Sequence, residues 1–175
     1  MKADLFWIPG PWRGRLAIAA RPRGGDWLDD EARAWRDAGI DIVVSLLEDD
    51  EAGQLDLADE PQAAERQAIN FVSFPIPDRG VPASSESSVA VIGRIAAQLG
   101  AGKNVALHCR QGIGRSGLIA AAVLMNSGLQ PERAMETVSS ARGISVPETP
   151  EQRRWIEQFP SRLPVTNEPG FESVA

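Results

Sequence analysis

The segment NVALHCRQGIGRSGLIAAAVLMN, residues 104–126, constrains the fold more than any other part of the chain. It contains a short apolar run that ends at His108-Cys109, a glycine-rich stretch, and an apolar pattern from Ser116 to Asn126. A helix that is apolar nearly all round has to be buried on every side. The segment therefore predicts a buried strand, a tight loop and a central helix in immediate succession.

The rest of the chain alternates between strand and helix patterns in the same way. Such alternation predicts an α/β fold, a central and mostly parallel sheet flanked by helices. The length of 175 residues favours one domain, residues 1–160, followed by a loose tail, residues 161–175. Strands are predicted at 5–8, 15–20, 40–47, 70–76 and 104–109, and helices at 30–38, 60–68, 84–99, 116–126, 131–141 and 150–159.

The glycines of the loop fit two kinds of binding site. Gly112, Gly114 and Gly117 match the G-x-G-x-x-G pattern of dinucleotide-binding folds. That fold also needs an acidic residue about 20 positions further on, at the end of a second strand. Glu132 has this spacing, but it follows a proline at a predicted helix start. The dinucleotide interpretation is therefore disfavoured.

The second interpretation is a phosphate-binding loop beside a nucleophile. Five residues separate Cys109 from Arg115, enough for a tight loop whose successive N–H groups converge on an anion at a helix N-terminus. An arginine there can hold two phosphate oxygens in a fork. Helix N-termini and cations also favour the thiolate form of a cysteine. The predicted phosphate-binding residues are Arg110, Gln111, Gly112, Ile113, Gly114 and Arg115.

The sequence His108-Cys109, five residues, then Arg115-Ser116 resembles the signature of the cysteine-based protein tyrosine phosphatases. The resemblance implies that Cys109 attacks phosphorus to give a cysteinyl-phosphate and that Arg115 stabilises the transition state. It also implies that Ser116 assists departure of the thiolate and that His108 orders the loop. No metal or other cofactor is expected, and the chain, with one histidine and one cysteine, has no zinc-type cluster.

Two further segments extend the resemblance to the small dual-specificity phosphatases. FPIPDRGVP places Asp78 31 positions before Cys109, where the family carries its general acid on a loop. ETPEQRRW resembles the segment in which a glutamine orients the hydrolytic water, and Gln152 is the corresponding residue. The resemblance therefore implies Asp78 as proton donor and Gln152 as water-positioning residue.

Charge and composition exclude several classes of partner. A net charge of −6 argues against nucleic acid and against polybasic membrane anchoring. No segment reaches the ~20 apolar residues of a membrane span, and one cysteine cannot form an internal disulfide. A cytoplasmic, monomeric protein that acts on a phosphorylated protein or a small phosphomonoester is expected.

The sequence leaves the substrate open. A phosphatase of phosphoinositides or nucleotides on the same fold is the alternative. A phosphate-binding module without turnover is the third possibility, and the presence of Cys109, Arg115 and Asp78 argues against it. Arg79 and Arg142 are candidates to face the cleft, but a solvated surface position is the favoured expectation for each. The acidic run Glu48–Glu51 lacks the spacing of a calcium loop and is expected to be a solvated turn.

Overall fold

The computed structural model describes residues 2–160, so the predicted tail at 161–175 lies outside the described residues. Five strands and seven α-helices alternate along this part of the chain. The strands are β1 (Leu5–Ile8), β2 (Leu16–Ala19), β3 (Ile42–Ser45), β4 (Asn70–Ser73) and β5 (Val105–His108). The helices are α1 (Leu28–Asp37), α2 (Asp49–Gln54), α3 (Glu60–Arg66), α4 (Ser85–Gly100), α5 (Gly114–Asn126), α6 (Pro131–Arg142) and α7 (Pro150–Gln158).

The strands form one sheet in the order β1-β2-β5-β3-β4. β2, β5, β3 and β4 run parallel, and β1 is an antiparallel edge strand paired with β2. The predicted α/β class with a mostly parallel sheet is confirmed. In the register, His108 pairs with both Ala19 and Ser45, so β2, β3 and β5 end at the same edge of the sheet. The chain segments that follow these three strands therefore meet beside Cys109.

The helix after the loop is the centre of the hydrophobic core. Every residue of α5 from Gly114 to Met125 is buried. The helix packs between α4, α6 and α7 on one face of the sheet. The prediction of a central buried helix is confirmed, although the helix begins two residues earlier than predicted, at Gly114.

One helix was not predicted at all. α2 covers Asp49–Gln54, where the sequence indicated a solvated turn. Its acidic first turn is favourable at a helix N-terminus, because carboxylates there interact with the unpaired N–H groups. Within residues 2–160, none of the helices has both the length and the apolar character needed to cross a bilayer.

A close approach in this core makes Gly117 sensitive to substitution. A Cβ atom at Gly117 would lie 2.9 Å from Cβ and 3.0 Å from Cγ1 of Val146. We expect Gly117→Ala to lower the free energy of unfolding by about 1–3 kcal/mol, because the buried β-branched neighbour cannot move aside freely. Urea unfolding measures this loss. Gly100→Ala is the control, since nothing lies within 4 Å of its Cβ; an equal loss in both variants would contradict the packing argument.

Candidate active site

Cys109 lies at the carboxyl end of the central strand, at the start of a loop with unpaired main-chain donors. The side chain is buried. Among residues 2–160, no acceptor takes a hydrogen bond from the N–H groups of residues 110–116. The helical ladder of α5 begins only at Gly117, whose N–H donates to the Ile113 carbonyl at 3.0 Å. Unpaired donors at a helix N-terminus form an anion-binding site.

The outer side of this loop is held by Arg142. Its Nε donates to the Gly112 carbonyl at 2.7 Å and its Nη2 donates to the Gln111 carbonyl at 3.1 Å. The guanidinium also stacks on the Phe6 ring, 3.9 Å from the ring centroid. One guanidinium thereby binds two successive carbonyls of the loop. The expectation that Arg142 is a solvated surface residue is wrong.

Gly112 is the position of the loop that most needs glycine. Its φ is +65°, in the left-handed region. A Cβ there would lie 2.9 Å from the Ala19 carbonyl oxygen at the end of β2. Both the backbone conformation and the close approach to β2 therefore exclude a side chain at this position.

Arg115 lies in the first turn of α5, and its guanidinium is fixed from several sides. Nη1 donates to Glu51 Oε2 at 2.7 Å, to the Ile76 carbonyl at 3.0 Å and to the Leu46 carbonyl at 3.3 Å. Nη2 donates to Glu51 Oε1 at 2.9 Å and to Asp78 Oδ1 at 3.1 Å. The segments after β3 and β4 supply the two carbonyls, so the sheet edge itself orients the guanidinium.

Glu51 forms a buried, two-point ion pair with Arg115. The residue is only 8% exposed. Its hydrogen bonds from Arg115 lower the pKa of Glu51 below the ordinary 4.5, against the opposing effect of burial. Burial likewise opposes the charge of Arg115, but the hydrogen bonds to Glu51 and the charge of the Cys109 sulfur raise the pKa of Arg115. The prediction of a solvated turn over Glu48–Glu51 is wrong for Glu51.

Asp78 faces the same cavity as the cysteine. The cavity has a volume of about 150 Å³ and is lined by Cys109, Arg115 and Asp78, together with the flanking residues Arg79, Arg110, Gln111, Gly114 and Glu148. The Asp78 side chain is 57% exposed, and the buried Arg115 guanidinium forms an ion pair with it. The structure therefore brings the thiol and the guanidinium of one loop together with a carboxyl group that lies 31 positions before the cysteine. Such a group can bind an anion, attack it and transfer a proton.

Ser116 and His108 flank the nucleophile on the inside of the fold. The Ser116 hydroxyl is fully buried and has no hydrogen-bond partner among residues 2–160. His108 points to the opposite face of the sheet, where its Nε2 lies 2.7 Å from Glu60 Oε1. Neither nitrogen of the His108 ring has an aligned hydrogen-bond partner among residues 2–160, so the two side chains form a close buried contact. Any ordering of the loop by His108 therefore acts through its buried contact with α3.

Gln152 lies in the first turn of α7 and is fully buried. Its Oε1 accepts from the N–H groups of Glu148 and Thr149, at 3.1 and 3.3 Å. Its Nε2 donates to the Gly80 carbonyl at 3.0 Å. A Cβ at Gly114 would lie 3.1 Å from this amide group, so Gln152 borders the loop. Its role in orienting water stays a prediction.

Sequence reasoning missed two further carboxylates, and it favoured a solvated surface position for both Arg79 and Arg142. Glu60 is a buried residue of α3 and Glu148 lines the catalytic cavity. Arg79, expected to be solvated, forms an ion pair of 2.8 Å with Glu148, although 63% of its side chain stays exposed. Each contact spans more than 45 positions of sequence, so no local pattern signals it.

The comparisons with known proteins agree with this geometry. The model of the DSP-PTPase phosphatases of polymorphic toxin systems matches residues 17–129. The structure of Tk-PTP in its active form is 32% identical, with a TM-score of 0.70, over 86% of this chain and 94% of that one. Kinase associated phosphatase, solved with its catalytic-site cysteine replaced by serine, has a TM-score of 0.82 over 91% of this chain and 94% of that one. At 19% identity, that likeness shows the fold alone.

Among curated proteins, a viral one named as a tyrosine phosphatase, 067L of Invertebrate iridescent virus 3, is 33% identical over 51% of this chain and 44% of its own length. The chain spans less than half the length of the curated relatives it matches. The family match covers more than half of the chain, including β5, the loop and all of α5. The chain therefore belongs to the DSP-PTPase family of cysteine-based phosphatases.

Proposed function

We propose that this chain hydrolyses phosphomonoesters of proteins, phosphotyrosine above all, through a cysteinyl-phosphate on Cys109. The observation that carries the proposal is the set of unpaired N–H groups at 110–116, closed by the Arg115 guanidinium, around a buried sulfur. Successive unpaired main-chain donors at a helix N-terminus attract an anion. A phosphoryl group supplies three acceptor oxygens and the negative charge that these donors and Arg115 favour.

The first step forms the sulfur–phosphorus bond. The Cys109 thiolate attacks phosphorus, the bond from phosphorus to the ester oxygen breaks, and its electron pair goes to that oxygen. Protonated Asp78 gives its proton to the departing oxygen, since an alkoxide or phenoxide is a poor leaving group. A phosphoryl group in the loop takes over the Arg115 Nη2 donor that Asp78 otherwise occupies at 3.1 Å, which frees the carboxyl group to face the ester oxygen.

The second step reverses these roles. Asp78, now a carboxylate, accepts a proton from water as the water oxygen attacks phosphorus. The sulfur–phosphorus bond breaks and its electrons return to sulfur, where the buried Ser116 hydroxyl donates a hydrogen bond to the developing thiolate. Phosphate leaves, and both the thiolate and the protonated acid are restored after proton exchange with solvent.

The surroundings of the cavity favour a protein substrate over a polyanionic small molecule. The adjoining groove, of about 570 Å³, is lined mainly by carboxylates, those of Glu48, Asp49, Asp50, Glu51 and Asp78. Extra phosphates of a phosphoinositide or a nucleotide would meet like charges there. We propose that residues 1–160 form a single phosphatase domain that acts as a monomer in the cytoplasm, where reducing conditions keep the nucleophilic thiol free.

A substrate panel in the presence of a chelator tests this function. We expect kcat/KM for phosphotyrosyl peptides to exceed that for phosphoinositide head groups and nucleotides by at least about tenfold, because like charges raise the energy of the polyanionic complexes. EDTA should leave the rates unchanged. Faster hydrolysis of the head groups would reassign the substrate class, and loss of activity in EDTA would reject the cysteine mechanism as written.

A further inference from the structure

The turn that carries Asp78 is joined on its far side to the start of α7. Arg79 Nη1 donates to Glu148 Oε1 at 2.8 Å. The Thr149 hydroxyl donates to the Arg79 carbonyl at 3.4 Å, and Gln152 Nε2 donates to the Gly80 carbonyl at 3.0 Å. Three consecutive contacts therefore fix the two residues that follow Asp78. Among residues 2–160, the Asp78 side chain has one polar contact, the 3.1 Å hydrogen bond from Arg115.

The conformation of Arg79 is one that an arginine seldom adopts. Gly80 N–H donates to the Pro77 carbonyl at 2.8 Å, which closes a four-residue turn over residues 77–80. Arg79 is the third residue of this turn and has a φ of +59°. That position of such a turn favours glycine. A side chain held in this backbone region persists where its surroundings fix it, and here the side chain ends on Glu148.

Glu148 also lies beside the nucleophile loop. A Cβ at Gly114 would lie 2.8 Å from Glu148 Oε2, while Oε1 of the same carboxylate accepts from Arg79. Both Arg79 and Glu148 line the catalytic cavity. One carboxylate thus borders the loop of Cys109 and binds the turn of Asp78.

We propose that Arg79 and Glu148 are a positioning pair that sets the distance between the Asp78 carboxyl group and the phosphoryl group on Cys109. The inference rests on the proposed role of Asp78 as general acid. Proton transfer to a leaving oxygen requires hydrogen-bond distance, and small displacements of a reacting group reduce the rate strongly. The pair is too exposed to contribute much to stability, with side chains 63% and 31% exposed. The pair acts instead on the proton transfer from Asp78 to the leaving oxygen.

The test uses leaving-group dependence, which a purely structural role would not change. Phenyl phosphate has a poor leaving group that needs a proton, whereas p-nitrophenyl phosphate has a good one that needs it far less. We expect Arg79→Glu and Glu148→Arg each to lower kcat/KM for phenyl phosphate by about tenfold and for p-nitrophenyl phosphate by less than about threefold. The double variant should recover most of the phenyl phosphate activity. Arg79→Ala and Glu148→Gln repeat the test without charge reversal.

Two controls keep the outcomes separate. Arg133→Glu reverses the charge of an exposed pair of 3.1 Å on α6 and should leave both substrates unaffected. Asp78→Asn should lower phenyl phosphate turnover by about 10²-fold; if it has no selective effect, the acid assignment fails. If Asp78→Asn is selective but the Arg79 and Glu148 variants lose both substrates equally, lose neither, or show no recovery in the double variant, the positioning pair is rejected.

Discussion

Replacing Cys109 with serine should lower turnover of an aryl phosphate by on the order of 10⁴-fold or more, because the step that it removes carries the whole reaction. A serine hydroxyl is not ionised at neutral pH, and as an alkoxide it would be a poor leaving group in the second step. The unpaired N–H groups of residues 110–116 and the Arg115 guanidinium are unchanged in this variant. Steady-state hydrolysis measures the loss.

Binding separates this chemical effect from damage to the loop. We compare two dissociation constants: that of a phosphotyrosyl peptide for the Cys109→Ser protein, and that of a non-hydrolysable analogue of the peptide for the wild-type protein. The two should agree within about tenfold, since main-chain donors and Arg115 supply most of the attraction. Acid-quenched wild-type protein should contain phosphate on Cys109, and the variant should contain none. Ser127→Ala, a substitution at the far end of α5, is the matched control. Turnover of the Cys109→Ser protein above a few per cent would reject Cys109 as nucleophile.

The sequence predicts those parts of the site that are formed within short stretches of chain. Residues 104–126 form a strand, a loop and a buried helix, and this arrangement removes their apolar side chains from water. A parallel sheet then places the loop at the carboxyl edge, beside the segment that carries Asp78. The cavity lined by Cys109, Arg115 and Asp78 agrees with that expectation.

The residues that sequence did not reveal act across large separations. Glu51 is 64 positions from Arg115, and Glu148 is 69 positions from Arg79. In the sequence, Glu51 follows three acidic residues, which is the composition of a solvated turn. Only the buried guanidinium of another element makes one carboxylate of that run an interior residue. Arg142 was misjudged for the same reason, because its partners are carbonyl groups and no residue type identifies them in advance.

The buried partner of Arg115 gives the largest expected effect on stability. We expect Glu51→Gln to lower the free energy of unfolding at pH 7 by about 3 kcal/mol, because it leaves a buried guanidinium without its two-point counter-charge. Urea unfolding measures this change. Glu136→Gln is the control, since that carboxylate also pairs with an arginine at 3.1 Å but is 66% exposed; equal losses in the two variants would contradict the burial argument.

Glu51→Gln should change the pH dependence of stability, and it should also lower kcat/KM. The pKa of Glu51 is lowered in the folded protein, so the unfolded chain takes up more protons as the pH falls through and below 4.5, and the free energy of unfolding declines there. Glu51→Gln lacks this group and should lose less stability than wild type between pH 7 and about pH 4. With glutamine at position 51, Asp78 is the remaining carboxylate bound to Arg115 among the described residues, and we expect it to be drawn away from the leaving oxygen. We therefore expect kcat/KM to fall by about tenfold or more, and unchanged kinetics would mean that Glu51 serves folding alone.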